Sequence, residues 1–111
     1  MYSKEHYVLH SHDAYQAGLH TDLRISIPNG NMLASWAIPK GNIPQKKGEK
    51  VLAVRTNDHS KIWTKIRDLE IPKGEYGGGQ IKFLQKGICE IEGWSNNYIT
   101  FNIDPKDGKT M

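Results

Sequence analysis

Cysteine is nearly absent from this chain: Cys89 is the single one among 111 residues. A lone cysteine excludes an internal disulfide framework and any cysteine-rich zinc module, and it fits a reducing compartment. Long apolar runs are also missing. No stretch approaches the roughly 18 residues that a membrane-spanning helix needs, and MYSKEHYVLH at the start shows no apolar run ending in a cleavage site. Hydrophobic residues make up only 37% of the chain, so the core must be small, and the length has room for one domain, residues 1–111, with no second core. A soluble, cytoplasmic protein is expected. Charge of one sign is scarce as well: 15 Lys and Arg stand against 12 Asp and Glu, a net +3 that favours an anionic partner without naming one.

Helix signals are few. Asp13 before Ala14–Ala17, closed by Gly18, gives at most one helical turn. The dominant period is two. In HTDLRISI (20–27) His20, Asp22, Arg24 and Ser26 alternate with Leu23, Ile25 and Ile27. Pro28-Asn29-Gly30 marks a turn, and MLASWAI (32–38) reads as the returning strand. GNIPQKKGEK (41–50) is a loop. VLAVRT (51–56), KIWTKIRD (61–68), IKFLQK (81–86), ICEIE (88–92) and NNYITFNI (96–103) read as further strands, and IPKGEYGGGQ (71–80) carries too many turn residues for a regular element. Seven or eight short strands and at most one or two helical turns predict a small closed antiparallel β-barrel. Closure is expected because it leaves no open edges on so small a core.

The sharpest chemical feature is His20-Thr21-Asp22-Leu23-Arg24. Alternate residues of a strand point one way, so an imidazole, a carboxylate and a guanidinium share one face. Nitrogen and carboxylate donors suit Mn, Zn, Co or Fe(II), and Arg24 offers a planar fork to phosphate oxygens. The plainer alternative is a solvated strand face with an internal Asp–Arg pair. His12, in a loop or short turn upstream, would complete a three-ligand open site, whereas His6 and His10 read as surface strand residues. His59 sits at a strand end, where a turn can aim it across a barrel mouth, or else is a plain turn histidine. Lys40, after Pro39, has the ordinary reading of a solvated lysine. The three glycines Gly77–Gly79 suggest close backbone approach or a tight barrel corner, without the order of a P-loop. Cys89 reads as a small buried residue and not a nucleophile. No Ser/His/Asp triad emerges.

Four segments together resemble one family: HDAYQAGLHTDLRI (12–25), SWAIPKG (35–41), LAVRTNDH (52–59) and IPKGEYGGG (71–79). In this order they are similar to the 3′-phosphoesterase domain of bacterial end-joining DNA ligase D and its stand-alone archaeal and bacterial relatives. The resemblance spans about residues 7 to 87. It implies a small β-barrel holding a divalent metal, most often manganese, with zinc or cobalt as options, and an enzyme that removes a 3′-terminal ribonucleoside and then hydrolyses the 3′-phosphate to a 3′-OH. It implies His12, His20 and Asp22 as metal ligands, Arg24 and His59 as catalytic phosphate contacts, and Lys40 as a third substrate contact. It further implies DNA or primer-template 3′ ends as substrate, a separate ATP-dependent DNA ligase and a polymerase or primase as partners, no membrane, and a monomer.

The chain departs from the family pattern at Thr21 and Trp63, each in place of a usual Tyr, at Asn57 for an acidic residue and at Val51 for a basic one. His12 and His20 also lie eight apart, two more than is commonest. These changes keep the metal-and-phosphate residues and alter their neighbours. The alternative function is a catalytically weak or inactive β-barrel that binds nucleic-acid ends, using the basic excess and aromatics such as Trp63. A zinc-dependent barrel enzyme acting on small molecules is the remaining alternative.

Overall fold

The computed structural model describes residues 3–28, 30–39, 51–95 and 99–103. These form strands β1 (Ser3–Ala14), β2 (Gly18–Ser26), β3 (Met32–Pro39), β4 (Val54–Ser60), β5 (Leu69–Ile71), β6 (Gly79–Trp94) and β7 (Ile99–Ile103), with a 3₁₀ turn at Lys61–Thr64. All neighbouring strands are antiparallel, in the order β4-β3-β2-β1-β6-β5, and β7 joins β6 beyond β5. The mostly-β expectation holds, but closure does not. The sheet curls into a half-barrel, and among the described residues no ladder joins β4 to β5 or β7. The edge that closure was expected to remove is instead made polar: β4 leaves Arg55, Asn57 and Asp58 exposed, and such side chains discourage edge-to-edge pairing.

Several strand boundaries differ from the expected ones, each for a local reason. His12 lies inside β1, because residues 13–18 make a tight hairpin and not a helical turn. Gly18 does take the left-handed conformation, with φ of 76°, but it reverses the chain into β2. IKFLQK and ICEIE fuse across Gly87 into the 16-residue β6, which pairs with β1 on one side and with β5 and then β7 on the other. KIWTKIRD is no strand: Ser60 caps a 3₁₀ turn by accepting a hydrogen bond from the Ile62 amide at 3.3 Å, and the chain then crosses the sheet. VLAVRT enters β4 only at Val54, with Leu52 and Val54 both exposed.

Each face of the central strands is buried, with different contents. Tyr7 and Leu9 of β1, Leu23 and Ile25 of β2, Ala34, Trp36 and Ile38 of β3, and Cys89, Ile91 and Phe101 form the apolar core, with Trp94 and Ile99 packed against it. Cys89 is indeed a small buried residue, its thiol pushed up to about 12 chiefly by burial. The opposite face carries the alternate residues: Val8, His10 and His12 of β1 and Asp22 and Arg24 of β2, all buried, and the half-buried His20. Directly opposed residues share a face, and the β1–β2 register sets His12 against His20, His10 against Asp22 and Val8 against Arg24.

One glycine permits the close approach of β6 to the other edge of β1. Gly79 opposes Ala14 at the start of β6 with φ of 142°, and an added Cβ would overlap the Asp13 carbonyl oxygen and lie 2.7 Å from the Ala14 Cα. Gly74, with φ of 95°, has open space around it. Gly79→Ala should therefore lose more than about 2 kcal/mol, since backbone strain and overlap add, while Gly74→Ala loses only about 1 kcal/mol. Equilibrium urea unfolding of the two variants checks the contrast. Equal losses would mean that the close approach at Gly79 relaxes without cost.

Candidate metal and anion centre

Asp22 lies at the middle of the polar face with both carboxylate oxygens engaged. Oδ1 is 3.0 Å from His20 Nε2, and Oδ2 is 3.1 Å from His12 Nδ1 and 3.5 Å from Arg24 Nη2. The outer nitrogen of each imidazole faces a backbone carbonyl: His12 Nε2 is 2.8 Å from the Gly77 oxygen and His20 Nδ1 is 3.1 Å from the Gly18 oxygen. A carbonyl can only accept, so those outer nitrogens carry the protons. In neutral rings the inner nitrogens then present lone pairs to carboxylate oxygens, which are acceptors too. Acceptor facing acceptor is unstable unless a cation or extra protons lie between them. His12, His20 and Asp22 offer one ligand atom each within 4.8 Å of one another, and carbonyl-fixed outer nitrogens are the usual support of metal-binding histidines. This donor set fits a divalent cation.

Arg24 lies beside that cluster. Its guanidinium carbon stands 4.5 Å from the Trp63 ring centroid, and its Nη2 is 3.5 Å from His59 Nε2. Nε and Nη1 are buried and have no partner among the described residues. Unpaired buried donors of a cation are costly, so they mark a place where an anion is expected. His59 donates from Nδ1 to the Asn57 carbonyl at 2.7 Å, which leaves Nε2 as the acceptor turned towards Arg24. Burial first, and the neighbouring guanidinium second, hold His59 below the ordinary imidazole range. Burial likewise draws the Arg24 pKa down, with Asp22 pulling against it. Tyr76, exposed, reaches over from the β5–β6 loop, its hydroxyl accepting from the Asn57 amide at 3.4 Å.

The structure thus brings together five of the six residues singled out from sequence: His12, His20, Asp22, Arg24 and His59. Lys40 lies outside the described residues. The solvated-face alternative for the β2 residues fails, because Asp22 and Arg24 are only 5% and 3% exposed. His6 is exposed as expected, whereas His10 is no surface residue: it is 0% exposed, and its Nε2 donates to the Ile66 carbonyl at 2.8 Å. Its face, though not its burial, was readable from parity, since His10 shares the phase of His12 and alternates with Tyr7 and Leu9. The carbonyls of Gly18 and Gly77 carry no side-chain signal, although the Gly77–Gly79 run did point to a close backbone approach.

The model of the DNA Ligase D 3′-phosphoesterase domain matches residues 10–109. The chain belongs to this family. The multifunctional non-homologous end joining protein LigD of Mycolicibacterium smegmatis is 37% identical over 90 residues, covering 81% of this chain and 11% of that protein. The LigD proteins of Mycobacterium bovis and Mycobacterium tuberculosis are each 30% identical over 105 residues, covering 95% of this chain and 12% of theirs. The chain therefore spans only about a ninth of these relatives. In this 3′-phosphoesterase domain two residues singled out from sequence beside the cluster take different places. Thr21 is buried on the core side of β2, away from the cluster. Trp63 lays its ring on Arg24.

Burial also holds the His10 pKa below the ordinary value. A histidine of depressed pKa binds fewer protons folded than unfolded, so stability is lost as pH falls through the unfolded value of about 6.5. His10→Gln keeps a donor for the Ile66 carbonyl and removes this titration. The variant should lose stability less steeply than wild type between about pH 8 and pH 5, read by urea unfolding of the metal-free proteins. Parallel curves would show that His10 titrates alike in both states.

Proposed function

We propose that the chain is a metal-dependent phosphoesterase that processes DNA 3′ ends, removing a terminal 3′ ribonucleoside and hydrolysing the 3′-phosphate to a 3′-OH. The relatives' names place them in non-homologous end joining, and we assign this chain to the same kind of repair, alongside a DNA ligase and a polymerase. The observation that carries the reading is the juxtaposition of four converging acceptors on His12, His20 and Asp22 with the two unpartnered donors of Arg24. One group calls for a cation and the other for an anion, side by side on a buried face. A 3′-phosphate with a divalent metal, manganese before zinc or cobalt, satisfies both.

His12, His20 and Asp22 would hold the metal, whose contribution when bound is Lewis acidity and positive charge beside the phosphoryl oxygens. Arg24 binds and orients the non-bridging oxygens through Nε and Nη1, with the Trp63 ring fixing the plane of its fork. His59 stays neutral in the free site. A phosphoryl group beside it favours protonation of Nε2, and this proton is available for the leaving oxygen, which is the 5′ oxygen of the departing ribonucleoside in the diester step and the 3′ oxygen of the strand in the monoester step. Lys40 adds a further cationic contact to the substrate. The second reading, binding of nucleic-acid ends without turnover, draws on Trp63, which packs onto Arg24 and offers no hydroxyl to substrate.

A 5′-labelled primer-template ending in one ribonucleotide, incubated with and without Mn²⁺, separates the two. Manganese-stimulated conversion to 3′-phosphate and 3′-OH products supports the enzyme, and retention on the strand without conversion supports the binding module. His20→Ala and Asp22→Ala should each abolish conversion and Mn²⁺ binding while keeping the wild-type circular dichroism. Loss of the β-type spectrum instead would make the two residues structural.

Arg24→Ala should lower turnover by about 10²–10³ while leaving calorimetric Mn²⁺ affinity nearly unchanged. Arg24→Lys should recover only part, since a point charge lacks the fork. If Arg24→Ala weakens Mn²⁺ as severely as Asp22→Ala does, Arg24 serves the ligand set and not the anion.

A further inference from the structure

Trp63 sits where it does because the chain that carries it is fastened at its far end. After the 3₁₀ turn, residues 66–68 are tied to β1 and β6 by three contacts. His10 donates to the Ile66 carbonyl at 2.8 Å, the Asp68 carboxylate accepts from the Phe83 amide at 3.1 Å, and the Arg67 guanidinium lies 3.8 Å from the Phe83 ring centroid. The His10 ring also meets Trp63 and Phe83 edge to face, with centroids 6.1 and 6.0 Å away. Trp63 then stands between Arg24, 4.5 Å from its ring, and His59, whose ring meets it at 90° and 5.4 Å.

His10 is an expensive residue for this place. Its Nδ1 is buried without a partner among the described residues, a loss that an apolar side chain would avoid, and what the imidazole supplies in exchange is the Nε2 bond. Arg24 in turn needs an external brace. Among the described residues its polar contacts are both 3.5 Å long and both made by Nη2, to Asp22 and His59, which leaves the plane of the fork to the Trp63 ring.

We propose that His10 is a positioning residue that, by fixing the Ile66 carbonyl, seats Trp63 on Arg24 and so holds the two free Arg24 donors ready for a phosphoryl group. The phosphoryl part rests on the function proposed above; the linkage from His10 through Trp63 to Arg24 does not.

The test uses the full chain, ¹⁵N-labelled, with the Trp63 indole resonance assigned through Trp63→Phe, and calorimetry with Mn²⁺ alone and then with inorganic phosphate. In His10→Ala the Trp63 indole and Arg24 Nε resonances should shift or broaden, phosphate binding should weaken about tenfold, and Mn²⁺ affinity should stay within about twofold. His10→Gln, whose amide nitrogen replaces Nε2, should restore the resonances and most of the phosphate affinity. Unmoved resonances in His10→Ala, failure of His10→Gln to restore them, or loss of Mn²⁺ affinity together with phosphate would overturn the proposal. If His10→Ala does not fold, Asp68→Ala loosens the same segment from its exposed end and must move the same two resonances. If wild type binds no phosphate while His10→Ala still shows the resonance changes, the proposed function falls and the linkage stands.

Discussion

Everything on the polar face is arranged around one buried carboxylate. Asp22 is 5% exposed, and its two oxygens serve three partners from three positions on two strands. A carboxylate taken out of water is costly unless its charge is matched and its lone pairs are used. His12, His20 and Arg24 supply that match only in one register of β1 against β2. A slip by one residue would send His12 to the core face and bring Ser11 or Asp13 to the carboxylate. The electrostatics of the site and the register of the sheet are therefore one constraint.

The same constraint explains why the sheet is buried on both faces although the chain has little apolar material. Leu23, Ile25, Trp36, Tyr7 and Leu9 close one side by ordinary hydrophobic burial. The other side is closed by side chains that are polar at the tip and flat in the body: histidine rings edge to face with Trp63 and Phe83, and a guanidinium laid on an indole. Such stacking shields the charged groups from water without removing their chemistry, which strengthens each interaction inside. An open half-barrel tolerates this because the crossing segment Lys61–Asp68, and not a further strand, covers that face.

Much of this was legible in the sequence. Period-two alternation in 20–27 put His20, Asp22 and Arg24 on one face, and family-like segments added His12 and His59. The turn at Pro28–Gly30 and the Gly77–Gly79 approach were marked by residues whose backbone preferences are local. The failures share a different character. KIWTKIRD alternates like a strand, yet Ser60 caps it into a 3₁₀ turn and no neighbouring strand edge claims it. His10 looked like a surface residue because burial of both faces cannot be read from a strand whose second face is polar.

The sequence by itself determined the periodicity, the parity of each side chain along its strand and the chemical kinds that meet, because these follow from local backbone geometry and residue type. Only the tertiary structure decided which parities became neighbours, whether the sheet closed, and what covered the polar face. Those outcomes depend on inter-strand register and on contacts as distant as His10 to Ile66 and His12 to Gly77, and their free energy is gained only once the whole sheet has assembled.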